Sequence, residues 1–220
     1  DANAAAEALT EAQAAIDAGF DGMVLDIYDG TESLMSPWQA FQYSRDYCAC
    51  TTTVQSLLKD RQDPRENVYI YYHSAGDEMD PADPDYQAPV CGIPGDETMA
   101  VLSGAWSLSA PKWLTYNAAG DYPLYPTATT HILSLSEVYF IMAEIQARNG
   151  ADCTESLSSA INANFNDIKT FGSISQSASE YVASLSSRIS DNPVKEVMVQ
   201  KYLSQCRDEQ VETYNDIRRC

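Results

Sequence analysis

The sequence predicts a mainly α fold, an array of helices interrupted by one long irregular stretch and carrying little β structure. Three observations lead there. Apolar residues recur at helical spacing near both ends of the 220-residue chain. Between residues 76 and 126 lie seven prolines and five glycines, which exclude long regular elements. Runs rich in β-forming residues are confined to two short stretches, 23–28 and 67–72.

Taken in order, residues 3–18 form an alanine-rich amphipathic helix that Gly19 stops. The run Met23 to Tyr28 suits a short strand or a buried turn, ended by Asp29 and Gly30. Residues 51–60 read as a short helix with a threonine cap and Val54, Leu57 and Leu58 inward, closed by Asp63 and Pro64. Asn67 to Tyr72 is expected to be extended. From His73 to Tyr125 the chain is irregular, yet Tyr86, Trp106, Trp113, Tyr116, Tyr122 and Tyr125 argue against disorder, because disordered segments are poor in aromatics. Helical periodicity returns at Leu135, with Leu135, Val138, Tyr139, Met142 and Ile145 as one stripe, Ser134 as cap and Asn149-Gly150 as stop. A second helix at 154–168 pairs with it antiparallel across a short link. A third covers 178–188, a fourth starts at Asn192-Pro193 with proline at its first position, and the last segment, VETYNDIRRC, suits a fifth. The chain thus divides into 1–65, a helix with connecting segments; 66–130, an irregular aromatic and acidic region facing ligand; and 131–220, a helical region. Together they are expected to form one structural domain continuous with a missing N-terminal half.

Composition removes several function classes. The formal charge is −19, with no Lys or Arg before Arg45 and none between Arg65 and Lys112. Such a surface repels phosphate backbones and anionic headgroups alike, so nucleic acid is excluded as a partner. No run reaches the length of a membrane-spanning helix, and the first residues lack the basic start and apolar centre of a secretory signal. Six cysteines are dispersed, and the closest pair, Cys48-Ala49-Cys50, lacks zinc or redox spacing. A disulfide involving Cys48 or Cys50 is expected in an oxidising compartment, with free buried thiols as the alternative. His73 and His131 have no nucleophile elbow beside them, so a hydrolase triad is not indicated. Glu137 and Glu144, seven residues apart on one helix, read as structural carboxylates, Glu144 pairing with Arg148 or with an arginine arriving from the C-terminus. The acidic run Asp77, Asp80, Asp83 and Asp85 offers oxygen ligands at short spacing that suit calcium, although it lacks the central glycine and closing glutamate of an EF-hand. No other cofactor is indicated.

Three segments in order resemble one family. The run LSEVYFIMAE at 135–144 is similar to a motif helix of the SusD/RagB nutrient-binding proteins, with Glu137, Val138, Phe140, Ala143 and Glu144 matching. Residues Gln200, Lys201, Glu212, Arg218 and Arg219 match a second motif, with Tyr202 standing for its tryptophan. Ser36-Pro37-Trp38, then 51–58, then Asp63-Pro64-Arg65 resemble a third. The resemblance implies a tetratricopeptide-like helical scaffold, anchored as a lipoprotein at the outer-membrane surface and seated over a TonB-dependent transporter. It implies delivery of an oligosaccharide, or a peptide, to that transporter, with no enzymatic activity. It also implies a chain about twice as long, so an apolar face on the first helix (Leu9, Ala12, Ile16) is expected to meet a missing half or a second copy. Six cysteines depart from the family's cysteine-poor pattern.

For ligand contact, aromatics in the irregular region are the candidates: Trp106, Trp113, Tyr116, Tyr86 and Tyr72. Sugar rings present C–H faces that stack on indole and phenol rings, and nearby polar groups bond the hydroxyls. Against this, each ring could instead anchor its loop to the core. A protein-interaction scaffold and a carboxylate-dependent glycoside hydrolase are the alternative functions.

Overall fold

The computed structural model describes residues 2–45, 50–74, 77–78, 109–117 and 121–219. Along the chain run α1 (Ala2–Asp17), β1 (Gly22–Leu25), α2 (Pro37–Arg45), α3 (Thr52–Arg61), α4 (Glu66–Tyr69), β2 (Tyr71–Ser74), β3 (Asp77–Glu78), β4 (Ser109–Ala110), a 3-10 turn (Lys112–Leu114), β5 (Thr130–Ser134), α5 (Leu135–Arg148), α6 (Thr154–Ile168), α7 (Ala178–Ser184), α8 (Ser186–Asp191), α9 (Pro193–Ser204) and α10 (Gln210–Arg219). The mainly helical fold is as expected. No helix among the described residues is long and apolar enough to cross a membrane.

Contacts sort the chain into two units. One comprises 1–26, 129–168 and 175–220; the other comprises 27–128 and 169–174.

The first unit is built on α5. Its start is set by Ser134, whose side chain accepts from the Glu137 amide, and its end by Gly150 at φ +70°. The predicted stripe is too narrow. Phe140 and Ala143 are fully buried, and Glu137 and Glu144 are buried as well, because α1, α6 and α9 all pack on this helix. The first helix therefore has a partner within the chain, α5, reached from more than a hundred residues away. Its half-buried residues Ala5, Leu9, Ala12, Ala15 and Ile16 follow helical spacing. Strand β1 pairs antiparallel with β5, a strand the local sequence did not suggest. The stretch 178–188 is broken at Leu185, whose buried side chain and tight amide bond to Val182 end α7 after two turns.

The second unit holds α2, α3, α4 and the small sheet β3-β2-β4, both pairs antiparallel. Thr51 caps α3 through the Val54 amide, as expected. Residues 66–69 form one helical turn rather than a strand. Asp63 accepts from the amide and Nε of Arg65, and its other oxygen lies 2.6 Å from Arg65 Nη2, both side chains wholly buried. That pair fixes the turn and overrides the β preference of Val68 and Tyr69, and the chain turns extended at Ile70. Helix α2 was not expected either, although Ser36 before Pro37 is a helix-start signal.

Candidate functional site

Glu137 and Lys201, one from each of two resemblance motifs, meet in the first unit in a buried ionic cluster. Lys201 of α9 reaches Glu137 of α5 at 2.8 Å and Asp216 of α10 at 2.9 Å. Gln205 donates to the second Glu137 oxygen and accepts from Thr213. Burial raises the Glu137 carboxyl to about 7 even against the pull of Lys201, because one ammonium serves two carboxylates. Burial works against the Lys201 charge, yet Glu137 and Asp216 more than reverse this and hold it protonated. Glu144 pairs with Arg148 at 2.7 Å, as predicted, whereas the cation from the C-terminal helices goes to Glu137. Arg218 lies over the Tyr214 ring at 5.7 Å. Glu137 and Asp216 both pack on Lys201 in the interior, which suits a scaffold; a working acid would face a cleft.

A second cluster ties β5 to the link between α9 and α10. His131 Nδ1 lies 3.1 Å from Asp208 Oδ2, and its Nε2 lies 3.7 Å from Asp167. Glu209 accepts from both the amide and the hydroxyl of Ser134. Burial alone would lower the His131 pKa; the hydrogen bond to Asp208 and the charge of Asp167 raise it instead. Sequence spacing gave no hint of this cluster, whose members lie at 131, 167 and 208. No group of three metal-ligating side chains occurs among the described residues. An open, mainly apolar groove of about 510 Å³ runs along α9 and α10, lined by Val194, Met198, Tyr202 and Ile217 among others.

The second unit carries the aromatic surface. Trp113, a candidate ligand platform by sequence, is 3% exposed. Its ring meets Tyr69 edge-on at 5.3 Å and Phe171 at 6.2 Å, and Gln39 donates to its carbonyl. That ring is spent on the core and serves as a loop anchor. Tyr116 is half-buried, and its hydroxyl donates to the Gln42 carbonyl at 3.1 Å. Tyr72 sits in β2, opposite Ser109. Tyr86 and Trp106 lie outside the described residues, as do Asp80, Asp83 and Asp85; Asp77 stands in β3 opposite Ser74. Cys48 also lies outside them, and Cys50 is a buried thiol whose Sγ donates to the Tyr69 carbonyl, so the expected disulfide does not involve Cys50.

Beside these residues lies a pair that the sequence reading did not select. Tyr43 of α2 and Tyr122 have ring centroids 5.4 Å apart, inclined at 60°, and Tyr43 is 37% exposed. Tyr43 Oη bonds Glu32 Oε1 at 3.2 Å, and Tyr122 donates to the Gly30 carbonyl. The turn bearing Glu32 is fixed by Asp29, which accepts from the amide and hydroxyl of Thr31, and by Gly30 at φ +80°, where a side chain would crowd Thr127. Phe41, 49% exposed, projects from the same polar helix. The available signal was three aromatics, Trp38, Phe41 and Tyr43, within the nine residues of α2.

Comparison with known proteins agrees with this architecture. A SusD/RagB family protein from Bacteroides thetaiotaomicron is 24% identical, with a TM-score of 0.68, over 90% of this chain and 43% of that one. A SusD homolog from Bacteroides fragilis is 19% identical with a TM-score of 0.57, over 88% of this chain and 42% of that one. The chain thus spans less than half the length of these solved relatives. No curated protein matches the sequence. The family model for SusD-like proteins, described as starch-binding and associating with the outer membrane, matches residues 1–220. Since that match runs from end to end, and the mainly helical scaffold agrees with it, the chain belongs to the SusD-like family.

Proposed function

We propose that this protein captures an oligosaccharide at the cell surface and delivers it, unaltered, to a TonB-dependent outer-membrane transporter. The observation that carries this reading is the family match over the whole chain, to proteins described by starch binding at the outer membrane. The aromatic surface of the second unit supports it: sugar rings stack on phenol faces, and Tyr43 and Tyr122 supply them beside the Glu32 carboxylate. Binding without conversion is supported by the two motif carboxylates, Glu137 and Glu144, each held by a cation inside the helical scaffold. Isothermal titration against defined oligosaccharides, with chromatography of the ligand after prolonged incubation, tests it. The expected result is saturable binding with the glycan recovered intact. Time-dependent shortening of the glycan, abolished by substitution of one carboxylate, would refute it.

A further inference from the structure

We propose that the Tyr43–Tyr122 face selects glycans by charge, accepting uncharged sugar rings and rejecting uronate or sulfated ones. This rests on the glycan-capture reading and names the ligand class for it. The argument starts from the polar atoms the face offers. Tyr43 shares its hydroxyl hydrogen with Glu32, and Tyr122 gives its own to the Gly30 carbonyl. Both phenol oxygens are then left as acceptors. Asp29 is likewise committed to Thr31. The Glu32 and Asp121 carboxylates are acceptors only. A ligand therefore meets aromatic faces bordered by acceptors, and its complement is a ring with apolar C–H faces and hydroxyl donors at its edge.

The described charged groups beside this face are carboxylates. The hydrogen bond and charge of Glu32, followed by Tyr122 and Asp121, raise the Tyr43 phenol above its ordinary range. Among the described residues no cation contributes to that shift, and the whole chain carries −19. A carboxylate or sulfate on the bound sugar would bring a fixed negative charge against acceptors unable to donate to it. A neutral ring incurs no such repulsion. The two rings are inclined rather than parallel, so one sugar face lies on one phenol while the second ring borders it.

The test is titration of the 220-residue chain with maltohexaose, N-acetylated chitohexaose and hexagalacturonate, at low and high salt. We expect a neutral oligosaccharide to bind and hexagalacturonate to fail at low salt. Tyr43→Ala and Tyr122→Ala should each weaken neutral binding about tenfold, while Tyr43→Phe, which keeps the ring, should not. The double variant Glu32→Gln, Asp121→Asn should admit hexagalacturonate, an effect that a merely structural role for these surface residues would not produce. Neutral binding untouched by loss of both rings would overturn this site while leaving glycan capture intact. Hexagalacturonate binding as tight as neutral binding at low salt would overturn the charge selection. Failure of all three probes to bind would remove both readings.

Discussion

Lys201 is the residue on which the first unit's interior depends. Its side chain is 2% exposed and holds two carboxylates, Glu137 at 2.8 Å and Asp216 at 2.9 Å. Removing it leaves both buried and uncompensated, a loss that costs about 3–5 kcal/mol in comparable buried pairs. Lys201→Met should therefore lower the denaturation midpoint sharply, whereas Lys201→Arg should recover part of it; a midpoint within experimental error of the parent chain would disprove the lock. Both partners were legible in the sequence, Glu137 and Lys201 each matching a family motif. Their pairing was not, because 64 positions separate them and only tertiary structure closes that distance. The same limit explains the aromatics. Trp113 lies in a polar stretch, and whether an aromatic there covers the core or faces solvent depends on Tyr69 and Phe171, neither of them a sequence neighbour. Tyr43 escaped notice for the converse reason: its setting in a short polar helix carries no ligand motif.

At the scale of elements, what could be read locally is what local forces decide. Helix α5 was legible from its apolar stripe and Ser134 cap, α6 from its apolar stripe, and α9 from the proline at its first position, all signals that act within a few residues. Strand β5 and helix α4 were not. The first exists because β1 pairs with it from more than a hundred residues away, the second because Asp63 and Arg65 fix the preceding turn. Capping gives this scale its own test. Ser177 accepts from the Glu180 amide while Glu180 bonds back to the Ser177 amide and hydroxyl, forming a capping box on the short helix α7. Ser177→Ala should cost about 1 kcal/mol, a typical price for a lost N-cap. Guanidinium titration of the variant measures it directly, and an unchanged midpoint would show that Tyr181 and Val182, both buried, hold α7 without the box.

Across the whole molecule, charge couples segments that the sequence keeps apart, and it does so with a definite dependence on pH. Acidic residues outnumber basic ones, 32 to 13, so cations in the interior are shared and some carboxyls are left under-compensated. Glu137 is the clearest case, its pKa lifted from 4.5 to about 7 by burial against Lys201. Asp167 is raised for the same reason, burial outweighing His131 and Arg207. His131 is raised because Asp208 and Asp167 outweigh its own burial, with Arg207 acting in the opposite direction. All three shifts have one sign. A group that binds its proton more tightly when folded contributes stability below its unfolded pKa and loses it as pH rises through its folded pKa. For Glu137 the window opens near the ordinary carboxylate range and closes near 7; for His131 it lies above the ordinary imidazole value. The Glu137 shift alone corresponds to a loss on the order of 3 kcal/mol across that window. Melting temperature should therefore fall between about pH 5 and about pH 8, the reverse of an ordinary acid-denaturation profile over the same range. Glu137→Gln removes the titrating carboxyl while leaving Asp216 on Lys201, and His131→Gln removes the imidazole. Each should flatten the slope, and the double variant should flatten it further. A parent melting temperature that stays level or rises over this interval would mean that neither group titrates differently in the folded chain, and the account of one ammonium shared between two carboxylates would fail with it.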